Sequence, residues 1–446
     1  MKNFKYNFIL LFFSFIATFA SVKESSLHSE IRDSLDLRAC LDFAMDHNSK
    51  IQLAKEQTIE QLGLLLEIKS VALPRLTGSA LFNKKDSGLL NKNDFGDSSQ
   101  EDWHIGVEFR KAIFSGGGIQ AAVDRQKETQ DSVLMDLKAI VNQVTFKVRQ
   151  DYWNVILAKD QIEVEKQNKL LLEEELENAK KRFETGAVSQ FEVLRAEVLL
   201  SSAMPPLIRA KNRLKTSTDR LLHTIGAQNF NLQRMGSEKI PNFRGKLGYT
   251  PRQYQLKDLL VLSLQNRAEL RNLEHIIQKE RAQLKVKKSL SHPQLDFVST
   301  YALQKNYSSQ DLDASQHGWQ VGIEGSWNIF DGYKNRGQIR QTESKIKQAE
   351  INLNSQKFAI EVEIRQAFTD WQEAEELVSA SRKIIDQAQE ALRLANARYG
   401  AGSTTQLDVL QSQVNLTEAR TQQLEAYYSN QIAIAHINKA TGTVLQ

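Results

Sequence analysis

The chain states its plan twice. The run RFETGAVSQFEVLRAEVLLSSA beginning at Arg182 returns as RYGAGSTTQLDVLQSQVNLTEA beginning at Arg398. The same offset of 216 residues pairs Trp103 with Trp319, Gly106 with Gly322, Phe114 with Phe330, Arg149-Gln150 with Arg365-Gln366, and Gly226 with Gly442. Upstream the offset is 219, pairing Pro74 with Pro293 and Leu76 with Leu295, and a difference in loop length accounts for the change. Each unit is far longer than the ~20–50 residues of a solenoid repeat. Each is therefore a whole structural half, and any fold for this chain must be assembled from two like halves.

Residues 1–20 read as a secretory signal. Lys2 and Lys5 supply the positive region, Phe8 to Phe19 the apolar core, and Thr18-Phe19-Ala20 a cleavage site. The apolar stretch is shorter than the ~20 residues a spanning helix needs. No other long apolar run follows, which excludes a helical membrane protein. The single cysteine, Cys40, leaves no intrachain disulfide and suits a small buried apolar residue. A hydrophobic content of 41% argues against one large globular core. Without Lys2 and Lys5 the formal charge falls from +4 to +2, and no basic run interleaved with aromatics appears, so no nucleic-acid partner is indicated.

Each half carries one β-hairpin, over 76–113 and 295–329. The clearest strand runs from Trp319 to Ile329, with odd positions mostly apolar and even positions small or polar. Its mate, Trp103 to Phe109, alternates in the same way. A period of two gives each strand one apolar and one polar face. About ten residues suffice to cross a bilayer when tilted, and Trp103, Trp319 and Trp327 suit aromatic girdles facing lipid. The polar runs 83–102 and 304–318 read as solvated loops. Four strands cannot close a barrel, because the smallest have ~8. An open edge in lipid is forbidden, so a barrel made of these strands is shared between chains.

Glycines follow each hairpin, at 116–118 and 332, and allow a sharp turn. Long polar stretches without internal proline or glycine then predict helices over 119–183 and 338–399. The first would be roughly 100 Å long at 1.5 Å per residue. Ile385, Ala388, Leu392, Ala395 and Tyr399 step by three and four, as do Ala367, Trp371, Ala374 and Val378, which is coiled-coil spacing with small residues that permit close approach. Gly186 and Gly402 reverse the chain into return helices over 188–226 and 405–442. A further helix precedes each hairpin, over 37–71 and 256–290. The two shorter helices of each half together match the long one and can stack end to end beside it. Pro205-Pro206 stands where the second repeat has Thr421 and Gln422, and predicts a break or kink in one return helix only. Repeat 1 thus spans 21–226 and repeat 2 255–446, joined by a linker over 227–254.

No enzyme constellation emerges. The eight histidines are scattered, none forms an HxxxH pair, and one cysteine makes no metal cluster. Neither Gly116-Gly117-Gly118 nor the GAGST run at 400–404 has the lysine of a phosphate loop. No catalytic residue, cofactor or metal site is expected. Arg182 and Arg398 suit the C-terminal ends of the long helices, where a cation complements the dipole. Phe183 and Tyr399 read as packing residues or as contacts for a partner.

The element order, together with the paired RF-x-x-G and RY-x-x-G tips followed by FEVL or LDVL, resembles the TolC family of outer-membrane efflux proteins over roughly residues 36–446. The starts LRACLDFAMDHNSKI and LKDLLVLSLQNRAEL and the turns LPRL and HPQL carry the same resemblance. It implies a mixed architecture: a long-helix coiled-coil tunnel and two β-hairpins per chain, closed in a homotrimer as a twelve-stranded transmembrane barrel. It implies a channel in the outer membrane of a Gram-negative bacterium, reaching into the periplasm as the exit duct of a tripartite efflux or type I secretion system. Its partners would be outer-membrane lipid, a periplasmic adaptor and an inner-membrane transporter. The helix tips Arg182, Phe183, Gly186, Arg398, Tyr399 and Gly402 would form an iris and meet the adaptor. The family's tunnel-lining acidic positions fall on Asp408 and Gln411, and Glu192 matches Asp408 in the first repeat. A basic residue that helps latch the iris is replaced by Thr404. The alternative is a soluble periplasmic coiled-coil adaptor or structural protein, against which the alternating Trp-bearing strands argue.

Overall fold

The computed structural model describes residues 34–85, 100–227, 241–305 and 316–443. The expected signal at 1–20 lies outside them, as do the centres of both hairpin loops and residues 228–240 of the linker. Among the helices the duplication is exact in length. Helices α1 (Leu37–His47) and α5 (Leu256–Asn266) have 11 residues each, α2 (Ser49–Ser70) and α6 (Ala268–Ser289) have 22, α3 (Gly118–Glu184) and α7 (Lys334–Gly400) have 67, and α4 (Gln190–Ile225) and α8 (Gln406–Thr441) have 36. The strands are β1 (Ser34–Leu35), β2 (Arg75–Lys85), β3 (Gln100–Phe114), β4 (Asn242–Phe243), β5 (Gln294–Lys305) and β6 (Gln316–Ser326).

The helices lie side by side in two tiers. Near the hairpins the order is α2, α3, α6, α7; towards the helix tips it is α4, α3, α8, α7. Helices α3 and α7 run through both tiers, while α2 and α4 stack end to end along α3. Where the tiers meet, the single helix expected over 37–71 is divided at Asn48, and that over 256–290 at Arg267. Both dividing residues have extended backbone, with ψ of 124° and 116°. The break makes room for the end of the return helix. Gly226 has φ +85°, and a Cβ there would stand 2.1 Å from the carbonyl oxygen of His47. Only glycine permits both that conformation and that approach.

Two apolar clusters fill the junction, and they repeat like the helices. Val144, Val148, Val155 and Leu221 belong to the first; Ile360, Ile364, Trp371 and Ile437 take the matching places in the second. Cys40 is fully buried in the first cluster, and burial, followed by the nearby Asp36 charge, pushes its thiol up to about 12. Residues 241–254 of the linker form a strap. Strand β4 pairs in parallel with β1, Phe243 and Leu247 are buried against α3, and the Tyr249 hydroxyl donates to Glu375 at 2.5 Å.

Pro205 and Pro206 do not interrupt α4, contrary to the break expected there. Ala203, Leu207 and Ala210 are buried just before and after the pair, against Leu172 and Ile162 of α3. Packing on both sides outweighs the local penalty. The two missing N–H groups would have bonded Ser201 and Ser202 carbonyls, and both serines lie on the exposed side of the helix, where water serves instead.

Candidate functional site

Strands β2, β3, β5 and β6 form one antiparallel sheet in that order. Its register places Leu76 opposite Phe109, Phe82 opposite Trp103, Phe297 opposite Ile323, and Tyr301 opposite Trp319. One face is therefore mostly apolar, interrupted by Lys111, Ser299 and His317, and on it Leu76, Ile105, Val107, Tyr301, Val321 and Ile323 are all exposed. The other face carries charge. The Arg110 guanidinium donates to Glu108 at 2.9 Å, to Glu324 at 2.8 Å and to Asp296 at 3.4 Å, joining β3, β5 and β6. An exposed apolar face backed by a satisfied polar one is the pattern of a sheet with lipid outside and water inside.

The aromatic residues mark two levels. Trp103 and Trp319, the latter 77% exposed, sit towards the hairpin loops. Trp327 lies at the opposite end and, as a correction to the strand expected over 319–329, falls just beyond β6. Its indole nitrogen donates to the Ser291 carbonyl at 3.0 Å. Phe330 and Tyr333 follow in the chain, their rings edge to face with centroids 5.7 Å apart. Sequence reading passed over Tyr333. It holds a left-handed backbone (φ 66°) where its repeat mate is Gly117 (φ 79°). An aromatic residue in a glycine's conformation was the available signal.

At the far ends, both long helices close in the same manner. Gly186 (φ 74°) and Gly402 (φ 71°) turn the chain, Ala187 N donates to Arg182 O at 2.8 Å, and Ser403 N donates to Arg398 O at 2.9 Å. The following acids then diverge. Asp408 is exposed and caps α8: its carboxylate accepts from the Thr404 hydroxyl at 2.5 Å, the Thr405 hydroxyl at 2.9 Å and the Thr405 amide at 3.1 Å. Those bonds, the Thr404 one foremost, hold its carboxyl below the usual range. Glu192 is half-buried, with Oε2 shielded from solvent and unpaired among the described residues. Gln411 is exposed and donates to Asn415 at 3.0 Å.

The two tips meet through side chains. The Arg182 guanidinium lies 4.5 Å above the Tyr399 ring. Burial raises the Tyr399 hydroxyl, Arg182 lowers it, and Glu192 and Glu175 raise it again. Glu175, two turns before the tip, was not foreseen, since the acidic run around it reads as an ordinary solvated face. Phe183 is 45% exposed and Arg398 is exposed. The residues brought together are thus Arg182, Tyr399, Glu192 and Glu175; Asp408, Gln411 and Phe183 stand apart from them.

A sheet with an exposed apolar band, continued by helices long enough to reach far beyond a bilayer, defines an outer-membrane channel subunit. The family described as outer membrane efflux protein matches residues 69–227 and 259–443, and the chain belongs to it. It is a protein of the Gram-negative outer membrane. The outer membrane protein TolC of Escherichia coli is 23% identical over 308 residues, covering 66% of this chain and 60% of TolC. The chain thus spans about three-fifths of that relative's length. The alkaline protease secretion protein AprF of Pseudomonas aeruginosa is 20% identical over 384 residues, covering 84% of this chain and 78% of AprF. The CmeC outer membrane channel of Campylobacter jejuni shares the fold, with a TM-score of 0.78 at 18% identity, covering 91% of this chain and 85% of CmeC.

Proposed function

We propose that three copies of this chain close into one duct across the outer membrane and periplasm. We read it as a channel rather than an enzyme, the exit of a tripartite efflux or type I secretion system. The observation that carries this is a pair of open edges. The sheet ends at β2 and β6, and the helical layers end at α2 and α4 on one side and α7 on the other. An unpaired strand edge is not tolerated in lipid, so neighbouring chains must supply the closure.

The duplication says how. Within the chain β3 pairs with β5, α3 packs on α6, and α3 packs on α8. Their repeat mates are β6 with β2, α7 with α2, and α7 with α4, which are the edges left open. The seam between neighbours copies the seam inside each chain. It covers apolar residues that one chain leaves exposed, Leu53 on α2 and Ile351, Phe358 and Val362 on α7, whose repeat mates Asn272, Met135, Asn142 and Phe146 are buried or half-buried inside the chain. Three copies supply twelve strands, enough for a closed barrel.

In this assembly the tips form the periplasmic gate. A periplasmic adaptor docks on them, bringing the inner-membrane transporter into line. Arg182 on Tyr399 is the latch that holds the two tips of one chain together. The arrangement supports this reading because Thr404 supplies no charge and Arg182 does. Asp408, Glu192 and Gln411 lie just past the tips, near the narrowest point. Crosslinking and mass measurement in detergent test the assembly: a trimer is expected, and a stable monomer that keeps its sheet would overturn it.

A further inference from the structure

Sequence reading finds no metal grouping, yet the fold builds one between the two repeats. Glu128 and Asp131 stand one turn apart on α3, and His275 on α6 faces them across 147 residues of sequence. One ligand atom from each lies within 4.8 Å of the others. His275 Nδ1 is 2.8 Å from Glu128 Oε2. Asp131 is exposed, and among the described residues no cation pairs with it.

We propose that Glu128, Asp131 and His275 bind one divalent transition-metal ion of the zinc class, clamping α3 to α6 below the barrel. An imidazole with two carboxylates is a donor set that such ions accept, with open positions left for water. The size fits. A triangle no wider than 4.8 Å has a centre within roughly 2.8 Å of each corner, and movements under ~1 Å in half-exposed side chains reach the ~2.0–2.2 Å of zinc–nitrogen and zinc–oxygen bonds. The ion would also offset the repulsion between two carboxylates at i and i+3. Packing alone does not demand this set. The repeat-matched places carry Ser344, Lys347 and Glu56, which offer one carboxylate and a cation instead. The site therefore exists once per chain, at the seam inside it and not at the seam between chains.

The test uses the full chain in detergent, stripped with chelator and titrated with Zn²⁺ by calorimetry and with Co²⁺ by visible absorption. One ion per chain is expected, with Co²⁺ giving d–d bands and Zn²⁺ raising the melting temperature. His275→Asn and Asp131→Asn should each weaken binding by about tenfold or more, whereas His292→Ala should leave it unchanged. Should His275→Asn fail to assemble, the exposed Asp131→Asn carries the same comparison. Absence of stoichiometric binding, or equal binding by the parent and these variants, overturns the site and leaves His275 and Glu128 as a hydrogen-bonded pair only.

Discussion

Asn48 and Arg267 occupy matching positions in the two repeats, and each ties its divided helix to the end of the neighbouring return helix by different chemistry. Asn48 donates to the Thr224 carbonyl at 2.7 Å and accepts from the amides of Lys50 and Ile51, capping α2. Arg267, 5% exposed, donates to the Ala440 carbonyl at 3.2 Å, to Glu363 at 2.8 Å and to Glu269 at 3.0 Å. Asn48→Ala should cost about 1–3 kcal/mol, through a lost cap and an unpaired buried carbonyl. Arg267→Ala should cost more, about 3 kcal/mol, because it frees the Ala440 carbonyl, deprives Glu269 of its partner and leaves the half-buried Glu363 with Lys439 alone. Chemical unfolding of both variants checks the order. An Arg267 variant no weaker than the Asn48 one would mean that α5 and α6 are held chiefly by apolar packing.

The same junction predicts an acid response. Glu363 is half-buried; burial pushes its carboxyl up, but Arg267 and Lys439 outweigh this and hold it below its ordinary 4.5. A depressed carboxyl adds stability that is complete above the unfolded value and is lost as pH falls through the folded one. Glu363→Gln should therefore lower the melting temperature at neutral pH and narrow its gap to the parent below about pH 4.5. Parallel melts from pH 7 to pH 3 would reveal this, and a gap that stays constant would remove Glu363 from the account.

Much of this was legible in the sequence, because the duplication and the two periodicities are local signals. The alternation from Trp319 to Ile323 announced a two-faced sheet, and the spacing through Ile385 and Ala388 announced a seam. The breaks at Asn48 and Arg267 were not legible. Asn48 is a residue type that caps helices but Arg267 is not, and in both cases the end of a distant return helix is tied into the gap. Pro205-Pro206 failed in the opposite sense, since distant packing kept continuous a helix that local chemistry would break. Arg182 and Tyr399 were each visible as tip residues, but their contact joins positions more than 200 residues apart and needs the fold to bring them together. His275 stayed hidden beside Glu128 and Asp131 for the same reason.

The two faces of the sheet should respond differently to charge. Ile323, 68% exposed on the apolar face, would present a charge to lipid as Ile323→Arg, at about 2–4 kcal/mol near the bilayer midplane. Assembly in the outer membrane should fall sharply. Glu324, next along the strand, binds Arg110, which keeps Glu108 and Asp296 when Glu324→Gln is made. That variant should assemble almost normally. Heat-resistant oligomer in membrane fractions is the readout, and equal losses at the two positions would show that the alternation does not separate lipid from water.

The tips allow latch and selectivity to be separated. If Arg182 over the Tyr399 ring holds the gate, the ring matters and the phenol does not, since a guanidinium binds the face of phenylalanine as well. Arg182→Ala and Tyr399→Ala should raise the conductance of the resting duct in planar bilayers, while Tyr399→Phe should leave it near the parent's. Asp408 answers a different question. Its bonds to Thr404 and Thr405 keep it ionised below the ordinary carboxylate range, so cation preference from this position should persist as pH falls through 3.8. Because it also caps α8, the selectivity test is best made with Asp408→Asn, which retains an acceptor oxygen for the cap, combined with Glu192→Gln. Cation preference should weaken with little change in resting conductance. A double variant that selects ions as the parent does would move the constriction away from these carboxylates. A Tyr399→Phe duct that opens as widely as Tyr399→Ala would place the latch in the hydroxyl, which also bonds Arg182, rather than in the ring face.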